Sequence, residues 1–210
     1  MLDISVIIPV YNREKYIGRA LRSILNQSID KSRYEIIVID DASTDNSEKI
    51  IKKYSKEITL ISNKKNLGLP ASLNKGINNA KGRFIIRIDS DDYVHKDFLK
   101  IPYLFLTLNS DFDAVSLDYY KVDDRENIIS KNNCITDPIG CGIMFRHENL
   151  VEIGLYDEKQ LLHEEKELRL RFEKKYSIKR IQLPLYRYRM HDSNMSEDTE
   201  LNFKFKGLEK

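Results

Sequence analysis

Apolar residues in the first ninety positions fall into short runs separated by amphipathic stretches. Residues 4–10, 34–39 and 84–88 are nearly continuous in Ile, Val and Phe, and 58–61 is a shorter run. Runs of this length predict strands buried on both faces. Between the first two, Ile17, Ala20, Leu21, Ile24 and Leu25 recur at helical spacing, with Asn12 as N-cap and Glu14 in the first turn. A second helix, capped by Ser43 or Asp45, is expected to run to about residue 54. A third is expected over 70–80, carrying Leu73 and Ile77 inward and closed by Gly82. Strand and helix in alternation predict an α/β fold, a mainly parallel sheet flanked by helices.

The second half changes character. The pattern predicts a helix over 96–108, an extended segment over 112–122, a loop over 137–142 and a strand over 143–145. A helix over 148–153 and a charged helix over 163–175, with Leu168 and Phe172 inward, come next. Short strands over 178–183 and 185–189 precede a polar tail with a last helix near 200–208. No repeat or linker interrupts the chain. One domain is expected, with a break near residue 110 between two halves, the second with a smaller mixed sheet.

Composition narrows the class. The 210 residues suffice for a core without disulfides, and Cys134 and Cys141 are too few for a disulfide framework. Lys and Arg number 35 against 33 Asp and Glu, a balance that asks for no nucleic acid. No secretory signal and no apolar run near 20 residues is visible. The expectation is a cytoplasmic protein with no transmembrane segment, able to touch the inner membrane face peripherally. Oligomeric state is not encoded in any visible pattern.

The chemistry concentrates at strand ends, where open α/β sheets bind ligands. Asp89, Asp91 and Asp92 are three carboxylates within four residues after the strand over 84–88, and they repel one another. In extended backbone Asp89 and Asp91 project to one side and can converge on a cation. Hard oxygen ligands suit Mg²⁺ or Mn²⁺, which hold phosphate; a solvated acidic turn is the alternative. Asp40 accepts hydrogen bonds only, so it suits the ring N–H of uracil, thymine or guanine, and Tyr11 can stack on the base. The same two residues serve equally as a helix cap and a half-buried ring. Glu164 and Glu165 are either an acidic helix start or a general base facing a sugar hydroxyl. His191 can complete a metal shell or touch a diphosphate, and Arg187 and Arg189 can offset phosphate charge. Neither a Gly-x-Gly-x-x-Gly nor a Gly-Lys-[Ser/Thr] motif is present, so phosphate would be gripped through a metal.

Taken in order, Pro9-Val10-Tyr11-Asn12, Val38-Ile39-Asp40-Asp41-Ala42-Ser43-Thr44-Asp45, Asn66-Leu67-Gly68 and Ile88-Asp89-Ser90-Asp91-Asp92 resemble the family 2 glycosyltransferases of GT-A fold. Gly140-Cys141-Gly142, Gly154-Leu155-Tyr156-Asp157 and Glu164-Glu165 are similar to that family's acceptor-side segments. The resemblance implies inverting transfer from a nucleotide sugar, a UDP-sugar favoured, to a glycan or lipid-linked acceptor. It implies that Pro9, Tyr11 and Asp40 line the nucleotide pocket. On the same basis Asp91 ligates the metal, Asp89 holds the ribose or a metal-bound water, Glu165 is the base and His191 is a metal or diphosphate contact. Two positions depart from the pattern. Glu165 stands where the family usually has Asp, which leaves Glu164 open. Leu73 stands where many members have Arg, so Lys75 or Arg87 is the expected substitute. A single-transfer enzyme is expected rather than a membrane-embedded polymerase. The competing readings are a nucleotidyltransferase, which normally has a Gly/Arg/Lys-rich loop after its first strand, and a non-catalytic nucleotide-sugar-binding protein.

Overall fold

The computed structural model describes residues 2–160 and 164–191. His163 and the helix expected near 200–208 lie outside the described residues. The first half contains β1 (Ile4–Val10), α1 (Ile17–Leu25), β2 (Tyr34–Asp40), α2 (Ser47–Ile51), β3 (Thr59–Ser62), α3 (Leu69–Asn78) and β4 (Phe84–Arg87). After it come β5 (Tyr93–Val94), α4 (Lys100–Leu108), β6 (Ala114–Val122), β7 (Ile128–Asn132), β8 (Ile143–Arg146), α5 (His147–Glu152), α6 (Glu164–Glu173) and β9 (Ile178–Arg189). No helix among the described residues is long and apolar enough to cross a membrane.

All nine strands among the described residues belong to one sheet. Its order is β3-β2-β1-β4-β8-β6-β9-β5, with β7 added to β6. The first four strands are mutually parallel. β8 pairs antiparallel with both β4 and β6, so the strands of the second half continue the sheet of the first.

Alternate residues of the central strands enter opposite cores, which is why their sequences are apolar without a break. Ile4, Val6, Ile8 and Val10 pack with Ile17, Ala20, Leu21 and Ile24 of α1 on one face. Ile7, Ile37, Ile39 and Ile85 meet Leu73 and Ile77 of α3 on the other, in a core that extends to Leu168 and Phe172 of α6. Gly76 lets α3 press on the sheet: a Cβ there would lie 2.6 Å from Ile39 Cδ1 and 2.7 Å from Ile7 Cγ2.

Several local expectations change. Asn12 does not cap a helix, because α1 begins at Ile17. Asn12 instead takes a positive φ of 51°, which Asn tolerates, and its Oδ1 accepts from Thr44 N at 2.8 Å. The strands expected over 178–183 and 185–189 are one strand, β9. Its pairing with β6 shifts register between Leu117 and Tyr119, where Gln182-Leu183-Pro184-Leu185 bulges out. Pro184 has no N–H for the ladder and so mimics a strand end in the sequence. β5 and β7 carried no legible signal. β5 has two residues, and β7, Ile128-Ile129-Ser130-Lys131-Asn132, does not alternate.

Candidate active site

Three loops meet beyond the carboxyl ends of β1, β2 and β4. The first two are lashed together. Asn12 N donates to Ser43 Oγ at 3.0 Å, and Arg13 N donates to Ser47 Oγ at 2.8 Å. Glu14 N donates to Asp45 Oδ2 at 2.9 Å, while Glu14 Oε2 accepts from Asn46 N at 2.9 Å. This tie fixes Tyr11 above the sheet, 45 % exposed, beside the buried Asp40, whose Oδ1 accepts from Ser43 N at 3.3 Å. Pro9 is buried in β1 opposite Ile39. Ile7 O accepts from Ile88 N, so Pro9, two residues on, turns its missing N–H to the same side, past the end of the β1–β4 pairing at Arg87. Asp41 is structural. Its carboxylate accepts from Asn63 Nδ2 at 2.7 Å and from Leu67 N and Gly68 N at 2.9 Å, anchoring the start of α3.

After β4 the backbone turns, with Asp92 N donating to Asp89 O at 3.1 Å, so the three carboxylates take different partners. Asp89 faces Arg87, whose Nε donates to Oδ1 at 2.6 Å and whose Nη2 donates to Oδ2 at 3.3 Å. Asp92 is buried, accepting from Tyr186 Oη at 2.6 Å and Arg189 N at 2.7 Å. Burial first, then the charges of Asp91 and Asp89, push its carboxyl well above the usual range. Asp91 keeps one oxygen, Oδ2, toward the site. Arg13 Nε donates to it at 3.0 Å, and His191 Nε2 lies 3.1 Å from it. Burial works against this carboxylate, but the contacts of His191 and Arg13 outweigh it and hold the pKa low. Tyr16 stacks on the His191 ring at 4.9 Å between centroids, 15° from parallel.

The facing wall is built on Arg87. Its Nη1 donates to Glu164 Oε1 at 3.0 Å, with both side chains buried. Burial acts against the guanidinium, but Asp89 and Glu164 raise its pKa well above the ordinary value. Glu165, the next residue on α6, is half-buried. A Cβ on Gly140 would lie 3.0 Å from both Arg87 Nη1 and Glu165 Cβ, so glycine lets this loop lie against Arg87 and Glu165. Asn74 joins α3 to the same wall, its Nδ2 donating to Tyr156 O at 2.9 Å and its Oδ1 accepting from Tyr156 N at 3.0 Å.

Neither expected substitute for the missing arginine is free. Arg87 is bound by Asp89 and Glu164, and Lys75 Nζ donates to Asn63 Oδ1 at 2.5 Å. Leu73 is in the core. Arg187 Nη1 donates to Pro184 O at 2.6 Å, and Arg189 Nε donates to Asp91 O at 3.0 Å, so both brace the backbone. The sequence pointed to neither Arg13 nor Tyr16; each is an ordinary polar residue of a loop until folding sets it beside Asp91 and His191.

The donor set fits a divalent cation. Asp91 and His191 present a carboxylate oxygen and an imidazole nitrogen side by side, a pairing that suits Mn²⁺. Asp89 lies next to this pair in the loop and is held by Arg87, which offsets its charge. Asp89, Asp92 and Cys141 also bring ligand atoms within 4.8 Å of one another. That cluster is a closed knot: both Asp92 oxygens are bonded, and burial, then Asp89 and Asp92, raise the Cys141 thiol pKa well above normal.

Comparison with known proteins bears on family and fold. Residues 5–174 match the description "Glycosyl transferase family 2". The poly(ribitol-phosphate) beta-N-acetylglucosaminyltransferase TarS of Staphylococcus aureus is 38 % identical over 109 residues, 50 % of this chain and 19 % of TarS. The poly(ribitol-phosphate) beta-glucosyltransferase of Bacillus spizizenii is 43 % identical over 108 residues, 50 % of this chain and 17 % of its own. The crystal structure of TarS 1–349 with UDP-GlcNAc superposes at a TM-score of 0.76 and 25 % identity, over 93 % of this chain and 61 % of that one. The Pyrobaculum calidifontis mannosyltransferase PcManGT, solved with GDP-Man and Mn²⁺, shares the fold at a TM-score of 0.73 and 17 % identity, over 91 % of this chain and 58 % of its own. The chain thus spans less than a fifth of these curated relatives and about 60 % of the crystallised chains. With a family match across four-fifths of its length and the sheet of the GT-A glycosyltransferases, the chain belongs to glycosyl transferase family 2.

Proposed function

We propose that this domain transfers a sugar from a nucleotide sugar, a UDP-sugar favoured, to an acceptor hydroxyl with inversion at the anomeric carbon. The observation that carries the reading is Asp91 Oδ2, held at a strand end with His191 beside it and Glu165 on the facing wall of the same sheet end. The TarS complex with UDP-GlcNAc supports uridine over guanosine, and the two poly(ribitol-phosphate) relatives support a surface glycan or polyol-phosphate acceptor.

Tyr11 stacks on the base and Asp40 accepts from its ring N–H. Asp89 accepts from the ribose or from a water. Asp91 and His191 would hold Mn²⁺ or Mg²⁺, which when bound supplies positive charge against the departing diphosphate. Glu165 takes the proton from the attacking acceptor hydroxyl. Glu164 serves differently, since its carboxylate is committed to Arg87 and orients the wall that carries Glu165.

A thermal-shift panel of UDP-, GDP-, dTDP- and CMP-sugars, with and without Mn²⁺, tests the donor assignment. Ligand at a hundredfold excess over its Kd stabilises the folded state by about 2.7 kcal/mol. A metal-dependent shift with uridine nucleotides is expected. Equal shifts for all four, or none, would overturn the donor assignment.

A further inference from the structure

A donor diphosphate carries more negative charge than one divalent ion offsets, so the proposed site calls for a further cation, and Leu73 in the core supplies none. The candidates are accounted for one by one. Arg87 and Lys75 are engaged with side chains, and Arg187 and Arg189 with backbone carbonyls. Arg13 is placed differently. Its backbone is fixed by Ser47 Oγ, and its Nη1 donates to Asn12 O at 3.1 Å. Its Nε donates to Asp91 Oδ2, and its Nη2 has no partner among the described residues. Its side chain is 19 % exposed, at the rim of the site.

We infer that Arg13 is the residue that binds the donor diphosphate, and that in the ligand-free chain it is parked on Asp91, where it competes with the divalent cation. The inference rests on the donor site proposed above. Arg13 Nε and a metal ion would share the same oxygen, Asp91 Oδ2, so a cation arriving there displaces the guanidinium. The free Nη2 edge then suits a phosphate oxygen, which a guanidinium grips with paired N–H donors. The diphosphate thus draws Arg13 off Asp91 as it brings metal to Asp91, coupling metal and donor binding in one direction. Because linkage is reciprocal, Mn²⁺ tightens the nucleotide by the same factor by which the nucleotide tightens Mn²⁺.

The test compares wild type, Arg13→Ala and Arg13→Lys by calorimetry with UDP, uridine, GDP and guanosine, and titrates Mn²⁺ without nucleotide. Arg13→Ala is expected to weaken UDP about tenfold or more, the scale of one charge-assisted hydrogen bond. Uridine binding should be unchanged, which also verifies that the pocket is folded. Without nucleotide, Arg13→Ala should bind Mn²⁺ several-fold tighter than wild type. Arg13→Lys should lie between the two in both measurements. Equal weakening of UDP and uridine would overturn the inference by reducing Arg13 to a loop brace. Unchanged UDP affinity, or weaker Mn²⁺ binding, in Arg13→Ala would also overturn it. If wild type itself binds neither nucleoside diphosphate, the donor site fails; if wild type binds and Arg13→Ala matches it, only the role of Arg13 fails.

Discussion

In the proposed reaction Asp91 and Glu165 divide the chemistry between two walls, and each has a neighbour of the same charge with other partners. Asp91→Ala should leave the fold intact and reduce metal-dependent turnover by about a hundredfold or more, checked by steady-state assay beside circular dichroism. Glu165→Gln should keep donor affinity while turnover falls about a hundredfold or more, the scale of general-base catalysis. Glu164→Gln should behave oppositely. Removing its charge leaves Arg87 half-compensated in a buried position and costs about 3 kcal/mol of stability, read by urea unfolding. A larger turnover loss in Glu164→Gln than in Glu165→Gln would exchange their roles. The placement of Asp91, Asp40 and Tyr11 at strand ends was legible, because the apolar runs that precede them mark the strands before any fold is known. Glu164 and Glu165 were not separable in sequence, since one residue of helical rotation decides which carboxylate meets Arg87. Arg13 and Tyr16 were silent, because their partners Asp91 and His191 lie far along the chain.

At the level of elements, the strands of the first half follow from apolar runs with two buried faces and its helices from sequences with one. What the pattern misplaced were ends and irregularities: the start of α1, the bulge at Pro184, and β5 and β7. Each is set by tertiary pairing rather than by local preference. The β1–α1 loop is held by side chains of the β2–α2 loop, so Asn12 is a tie and not a cap. Close approach is as specific as pairing. A Cβ on Gly82 would lie 2.5 Å from Ser5 N and 2.6 Å from Ile4 C, backbone atoms that have no room to move. Gly82→Ala should therefore cost about 1–3 kcal/mol by overpacking and leave nucleotide affinity unchanged, because the contact lies at the opposite end of β1 from the site. Unaltered stability in urea titration would contradict this packing.

Across the whole molecule, one sheet carries both walls, and the pairing of β6 with β9 returns the chain to the Asp91 loop and brings His191 there. Asp118 on β6 and Arg180 on β9 lock that pairing: Arg180 Nε and Nη2 donate to the two carboxylate oxygens at 2.8 and 2.6 Å. Burial raises the Asp118 pKa, but the contacts of Arg180 and Cys134 N outweigh it, and the net shift is downward. A folded pKa below the unfolded value near ~3.9 gives stability that is present above that pH and lost as pH falls through the folded value. Asp118→Asn should be less stable at neutral pH and lose stability less steeply in acid, measured by urea unfolding across pH; an unchanged acid slope would remove Asp118 from this role. The decisive measurement on the function is release of nucleoside diphosphate from UDP- and GDP-sugars by wild type and Asp91→Ala in the presence of Mn²⁺. Release from the uridine donors by wild type, lost in Asp91→Ala, is the expected result. Equal release by both proteins, or none by a wild type that binds the donor, would contradict a metal-dependent glycosyltransferase built on Asp91.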